Sequence, residues 1–157
     1  MEPAKVELRR AVAADHDALG QVMFDAIHHG PSVYSTAERA GWLPAPPQGP
    51  LWSAKLTEQQ VIVAERAGRV LGFIAYAGGY IDLAFIAASA QGQGVFRALY
   101  GQVERTSYET GEPRLYTHAS LMARPVFEAM GFRVIAAERV ARSGEYLDRF
   151  EMEKILS

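Results

Sequence analysis

The sequence predicts an α/β (α+β) chain of six or seven strands and about four helices, and three observations lead there. Residues 61–86 hold three strand-length apolar runs separated by short glycine turns. Two later stretches repeat apolar residues at i, i+3 and i+4, the period of a helix with one buried face. Between them the run IDLAFIAASAQGQGVFRALY passes from strand-like to helix-like character through Gln91-Gly92-Gln93-Gly94. Glycines at such a junction let backbone approach a ligand closely. The free N–H groups and positive dipole end of the following helix attract phosphate oxygens.

In chain order, residues 6–11 form a first strand. Asp15 caps a helix whose Leu19, Val22, Met23, Ala26 and Ile27 share one face, ending near Gly30-Pro31. Ser35 caps a second short helix reaching Trp42. The segment LPAPPQGP follows, and its four prolines forbid a regular helix or central strand. Residues 52–59 are ambiguous, with a helical turn or two preferred. Residues 61–65 and 70–77 form a hairpin around Ala67-Gly68-Arg69, and residues 80–86 add a strand. Val95, Ala98, Leu99 and Val103 mark a helix over about 94–111, followed by a short strand at 115–118. Ser120 caps a further helix with Ala123, Val126, Phe127 and Met130 on one face, Pro125 in its first turn and Gly131 at its end. Residues 132–139 and 146–155 close the chain as a hairpin around Arg142-Ser143-Gly144.

At 157 residues the chain is most simply one domain, 1–157, long enough to bury roughly two thirds of its unfolded surface. It has no cysteine, so disulfides, thiolate metal ligands and a cysteine nucleophile are excluded together. A net charge of −2 with interspersed signs offers no general attraction to nucleic acid. MEPAKVELRR lacks the apolar core of a secretory signal, so a cytoplasmic location is expected. Residues 71–90 are apolar enough to suggest a membrane span, but Asp82 lies near their middle and Gly78-Gly79 divides them, so two buried strands and no membrane partner are expected.

The glycine turn is not a Rossmann fingerprint, because Arg97 stands where the third glycine belongs and a hairpin precedes it. It also lacks the Gly-Lys-Ser/Thr of a P-loop. Gln91-x-x-Gly94, after a strand and opening a helix, instead resembles the pyrophosphate-binding motif of the GNAT superfamily of acyl-CoA-dependent N-acyltransferases, with Phe96 in place of the usual final Gly or Ala. The resemblance extends over LGFIAYAGGYIDLAFIAAS before it and SLMARPVFEAMGF after it, and covers roughly residues 5–155, closest to a small bacterial branch of that superfamily.

This resemblance implies the GNAT fold, a mixed, mostly antiparallel central sheet with strands 81–86 and 115–118 splayed apart. The cosubstrate is then acetyl-CoA, with no metal. Its pantetheine arm enters the gap beside Phe85, Ile86 and Ala87, its pyrophosphate lies on the N–H groups of Gln91, Gly92, Gln93, Gly94, Val95 and Phe96, and Ser120 and Phe127 line the arm. The bland reading of Gly92 and Gly94 is an ordinary tight turn.

Acyl transfer to an amine needs a base for the amine proton and polarisation of the thioester oxygen. Asp82 is the base candidate: strand alternation places it with Tyr80, Ala84 and Ile86 on one face, and several GNAT enzymes have an acidic base at the matching point. Because aspartate is short, a water relay is expected; the alternative is a structural aspartate. Many GNAT enzymes have tyrosine as general acid where Phe127 stands, so His118, Ser120 and Tyr80 become the candidates to protonate the leaving thiolate, each with a structural alternative as strand end, helix cap or packing ring.

His28-His29 cannot chelate one ion unaided, since adjacent helix residues point about 100° apart. His28, Tyr34 and Trp42 are expected around the acceptor, a small-molecule or peptide amine. Two further readings compete with the acetyltransferase: a non-catalytic acyl-CoA-binding regulator with the same fold, and a nicotinamide dinucleotide binder. A homodimer, if formed, is expected through the last hairpin or an edge strand.

Overall fold

A computed structural model describes residues 5–156, so the first four residues read for a targeting signal lie outside the described residues. Seven strands form one sheet in the order β1-β2-β3-β4-β5-β7-β6: β1 (Glu7–Arg10), β2 (Gln60–Arg66), β3 (Arg69–Ala77), β4 (Tyr80–Ile86), β5 (Arg114–Ser120), β6 (Arg133–Arg142) and β7 (Glu145–Ile155). The sheet is mixed. Among the described residues β4–β5 is the one parallel pair, because the long crossover through a helix, residues 87–113, allows what a two-residue turn cannot.

The apolar stretch at 71–90 resolves into β3 and β4. Their turn, Gly78-Gly79, and that of the last hairpin, Ser143-Gly144, both place two successive residues at positive φ, the geometry whose twist matches antiparallel strands. Among the described residues no helix is long and apolar enough to cross a membrane.

Among the described residues five α-helices flank the sheet: α1 (His16–His29), α2 (Thr36–Trp42), α3 (Pro50–Thr57), α4 (Val95–Glu109) and α5 (Arg124–Ala129). On one face Val95, Leu99 and Val103 of α4 pack with Ile74, Ile81, Leu115 and Met152; on the other, Leu19 and Met23 of α1 and Trp52 and Leu56 of α3 pack with Val63, Phe73 and Leu83. Each such side chain contributes about 1.5–3 kcal/mol when fully buried.

Four local expectations are corrected. Pro50, placed in the proline loop, is the first residue of α3, where its missing N–H has no helical partner to lose. Asp15 makes no side-chain cap to α1; its carboxylate turns back to Arg9 at 2.8 and 2.9 Å and to the Val12 N–H at 2.7 Å. Ser120 caps a turn at Ala123 ahead of the shorter α5. Finally, Ala75 pairs with Leu83 while Tyr76 pairs with Ile81, so Asp82 is the extra residue of a β-bulge. The bulge reverses the alternation: Ile81, Ala84 and Ile86 join the α4 face, whereas Leu83 and Phe85 join the α1 face. Asp82 therefore does not share a face with Ala84 and Ile86.

Candidate active site

The splay starts where the bulge bends β4. β4 and β5 pair only at Tyr80–Tyr116 and Ile81–Thr117, while β5 stays paired with β7 as far as Ser120–Arg149. The Tyr116 N–H donates to the Gly79 carbonyl at 2.9 Å. Where the next ladder bond is due, the Thr117 hydroxyl donates to the Ile81 carbonyl at 2.8 Å and closes the ladder. Beyond it the strands part.

Two cavities meet at this gap. The larger, about 620 Å³, runs from the end of β4 along the Gln91–Gly94 turn and the start of α4 to α5, within the size range of small-molecule sites. The smaller, about 150 Å³, lies on the other side, against Tyr80, Asp82 and His118. Trp42, Phe85 and Ser120 line both.

The glycine turn fits a pyrophosphate. Gly92 and Gly94 have φ of 75° and 82°, and a Cβ at either would meet nothing within 4 Å, so the side-chain-free surface faces open space. The first α4 bond is Ala98 N–H to the Gly94 carbonyl at 3.1 Å; among the described residues the N–H groups from Gln91 to Arg97 have no protein acceptor. Gln91 lines the larger cavity and fixes the turn to the strand, its Nε2 donating to the Ile86 carbonyl at 3.0 Å. Gln93 turns outward, donating to the Ser89 carbonyl and accepting from Arg66.

Phe85, Ile86, Gly92, Gly94, Val95, Phe96, Ser120 and Phe127 all line the larger cavity; Gln93 and Ala87 do not. The Ala87 N–H is already donated to the Leu71 carbonyl at 2.8 Å, so it is not free to pair with a bound arm. The two departures from the family motif touch each other. Phe96 lies edge-on to Phe127 at 5.3 Å, and Phe127, 3% exposed, lies edge-on to Phe132 at 5.0 Å. Phenylalanine at 127 thus belongs to an aromatic cluster with Phe96 and Phe132 at the wall of the larger cavity.

The four catalytic candidates are brought together around the smaller cavity. Asp82 Oδ2 accepts from Gln59 Nε2 at 3.0 Å and lies 3.5 Å from Lys55 Nζ, whereas its Oδ1 has no described partner. Tyr80 lies tilted against Tyr116 at 4.8 Å and meets His118 edge-on at 5.8 Å; burial, aided by the Asp82 charge, pushes its hydroxyl above the ordinary tyrosine range, so it stays protonated. His118 Nδ1 sits 3.2 Å from Glu138 Oε2 but out of line for a hydrogen bond, leaving that buried nitrogen unpartnered. Arg149 first, and His118 with it, hold the Glu138 carboxyl below the usual range. The Ser120 oxygen accepts the Ala123 N–H at 3.1 Å, which leaves its own proton to donate.

Of the acceptor residues, Tyr34 and Trp42 line the smaller cavity and meet edge-on at 5.7 Å. His28 lies in neither cavity; it stacks on Phe24 at 4.1 Å and its Nε2 contacts the Leu43 carbonyl at 2.7 Å, holding α1 to the loop after α2. His29 turns to Asp25, whose other oxygen accepts the Ala88 N–H and steadies the turn after β4. The sequence reading did not include Arg142, Asp148 and Arg149, which line the smaller cavity from the last hairpin. Only the Arg142-Ser143-Gly144 turn marked that hairpin, and no local pattern tells how far its tip reaches.

The family model for the acetyltransferase (GNAT) domain matches residues 50–156. The uncharacterized N-acetyltransferase YafP of Escherichia coli (strain K12) is 28% identical over 148 residues, covering 94% of each chain. The crystal structure of a GCN5-related N-acetyltransferase from Rhodopseudomonas palustris superposes with a TM-score of 0.88 over 99% of each chain at 23% identity. The structure of yncA from Salmonella typhimurium with its cofactor acetyl-CoA reaches 0.69 at 19% identity, covering 98% of this chain and 95% of its own. At such identities these two structures share the fold.

Proposed function

Because the chain belongs to the acetyltransferase (GNAT) family of acetyl-CoA-dependent acyltransferases, we propose that it moves the acetyl group of acetyl-CoA to a primary amine of a small molecule or peptide, by direct attack in a ternary complex. The observation that carries this reading is the meeting of two cavities across the β4–β5 splay, with Trp42, Phe85 and Ser120 common to both. One cavity suits a long cosubstrate and the other an acceptor, so the two reactants are held face to face and proximity supplies much of the acceleration.

The larger cavity takes acetyl-CoA, which supplies the acyl group as a thioester. The N–H groups of the Gln91–Phe96 segment, at the positive end of α4, hold its pyrophosphate. Phe85, Ile86, Phe96 and Phe127 enclose the arm. In the smaller cavity Asp82 Oδ1 receives the ammonium of the acceptor and takes its proton, through water where the reach is too long. Lys55 and Gln59 hold Oδ2 and fix the carboxylate's direction. Ser120, at the junction and with its oxygen held by the Ala123 N–H, donates a hydrogen bond to the departing sulfur, which leaves as the thiolate and takes its proton from water. Tyr80, neutral and beside Asp82, orients the amine.

Thiol release from acetyl-CoA with a panel of amines tests the reading. Turnover in the native chain and a loss of about 10²–10⁴-fold in Asp82→Asn, the range for a general base, is the expected outcome. An Asp82→Asn variant that keeps its activity removes Asp82 from the mechanism; no thiol with any amine leaves a chain that binds acyl-CoA without turnover.

A further inference from the structure

The smaller cavity carries an unmatched positive charge. Three of the charged groups lining it have counter-charges: Asp82 has Lys55 at 3.5 Å, Asp148 has Arg139 at 2.9 Å, and Arg149 has Glu138 at 2.8 Å. Arg142, an exposed residue at the end of the hairpin, lines the same cavity and forms no ion pair among the described residues; its one described hydrogen bond goes to the carbonyl of its own neighbour, Ala141. The outer guanidinium nitrogens of Arg149 also have no described acceptor.

The placement of Arg142 is built into the backbone. A Cβ at Gly41 of α2 would lie 2.8 Å from the Arg142 carbonyl oxygen and 2.8 Å from Glu145 Cβ, so only glycine lets the hairpin tip press against α2. That contact brings the tip, 60 residues away from Asp82 in sequence, to the lining of the same cavity. A free carboxylate oxygen on one wall and a free guanidinium on another form a two-point site for a molecule that carries both charges.

We propose that the acceptor is a zwitterion, an amine that also carries an oxyanion, with Arg142 and the outer nitrogens of Arg149 binding the oxyanion while Asp82 receives the amine. This rests on the acetyltransfer reading. A cavity of about 150 Å³ equals about five waters' share of liquid volume, which suits a small amino acid or aminophosphonate.

Binding of the acetylated products in the presence of CoA tests the site without turnover. The probes are N-acetylglycine, N-acetyl-β-alanine and N-acetyl-γ-aminobutyrate, each beside its amide, together with N-acetylaminomethylphosphonate. Calorimetry is expected to show at least one oxyanion binding about tenfold more tightly than its neutral partner, as a charge-assisted contact gives. The carboxylate and phosphonate arms tell which oxyanion the site takes. The preference should fall below about twofold in Arg142→Ala and largely return in Arg142→Lys, with the acetyl-CoA Kd and the unfolding temperature unchanged. Equal binding of oxyanion and amide, a preference that survives Arg142→Ala, or no binding of any probe overturns the proposal. Thiol release, measured separately, reports on acetyltransfer: oxyanion preference without thiol release condemns the activity and not the site, and efficient turnover of neutral amines without preference does the reverse.

Discussion

Tyr34→Phe removes a single oxygen atom, and the structure allows its cost to be worked out. The Tyr34 hydroxyl donates to the Asp148 carbonyl at 2.6 Å and accepts the Leu121 N–H at 2.9 Å, and the residue is 5% exposed. It thereby ties the loop between α1 and α2 to β7 and to the end of β5, on either side of the smaller cavity. Its removal leaves the Asp148 carbonyl and the Leu121 N–H, both in part-buried hydrogen bonds, without this partner. At about 1–1.5 kcal/mol for each, the loss is about 2–3 kcal/mol. With an unfolding entropy of about 2.1 cal/mol/K per residue, 157 residues give about 0.33 kcal/mol/K, so the variant should melt about 6–9 °C lower. Differential scanning calorimetry measures the drop. Amine KM should rise as the wall loosens, while acetyl-CoA, bound in the other cavity, keeps its Kd. A drop of less than about 1 °C would refute the argument, because water or a repacked loop would then be satisfying both groups.

Two further predictions concern stability. A Cβ at Gly20 would overlap the Pro47 carbonyl oxygen, so Gly20→Ala must push the proline-rich loop off α1; a loss of about 1–3 kcal/mol is expected in guanidinium unfolding, and an unchanged midpoint would contradict this packing. Asp15 sets an acid limit. Arg9, gripping it with two nitrogens, holds its carboxyl below the usual range, so its contribution is full above the unfolded-state value of about 3.9 and is lost as pH falls through the lower folded-state value. Asp15→Asn should be less stable than the native chain at pH 7 and lose less on acidification from pH 5 to 2; parallel profiles would show that the pair has no such role.

The order of the strands was legible because short glycine turns punctuate it, and the helices because their apolar faces repeat with period 3.6. The Gln91–Gly94 turn was legible for the same local reason: left-handed glycines and a following helix lie within a few residues. The bulge at Asp82 was not. A bulge is a mismatch between two strands, visible only once β3 and β4 are paired, and it moved Asp82 off the face that simple alternation assigned. His28 was expected near the acceptor because in the family that the chain resembles the loop after the first helix covers that site; its ring nitrogen instead meets the Leu43 carbonyl, 15 residues on, a contact that no local pattern announces. Arg142 stayed hidden because its approach to the cavity depends on the missing side chain of Gly41, about a hundred residues earlier.

Thermal unfolding with acetyl-CoA, with NADH as control, in the native chain and in Gly94→Val, tests the central claim most directly. A valine here has open space in the free protein, so it should fold, but its side chain enters the volume assigned to the pyrophosphate and strains a φ of 82°. At about 100 times its Kd, acetyl-CoA adds about 2.7 kcal/mol, which for this chain is an upward shift of about 8 °C. That shift is expected for acetyl-CoA alone, and is expected to be lost in Gly94→Val. Equal stabilisation by NADH, or no shift with acetyl-CoA in the native chain, would contradict it and reduce the glycine turn to a structural corner.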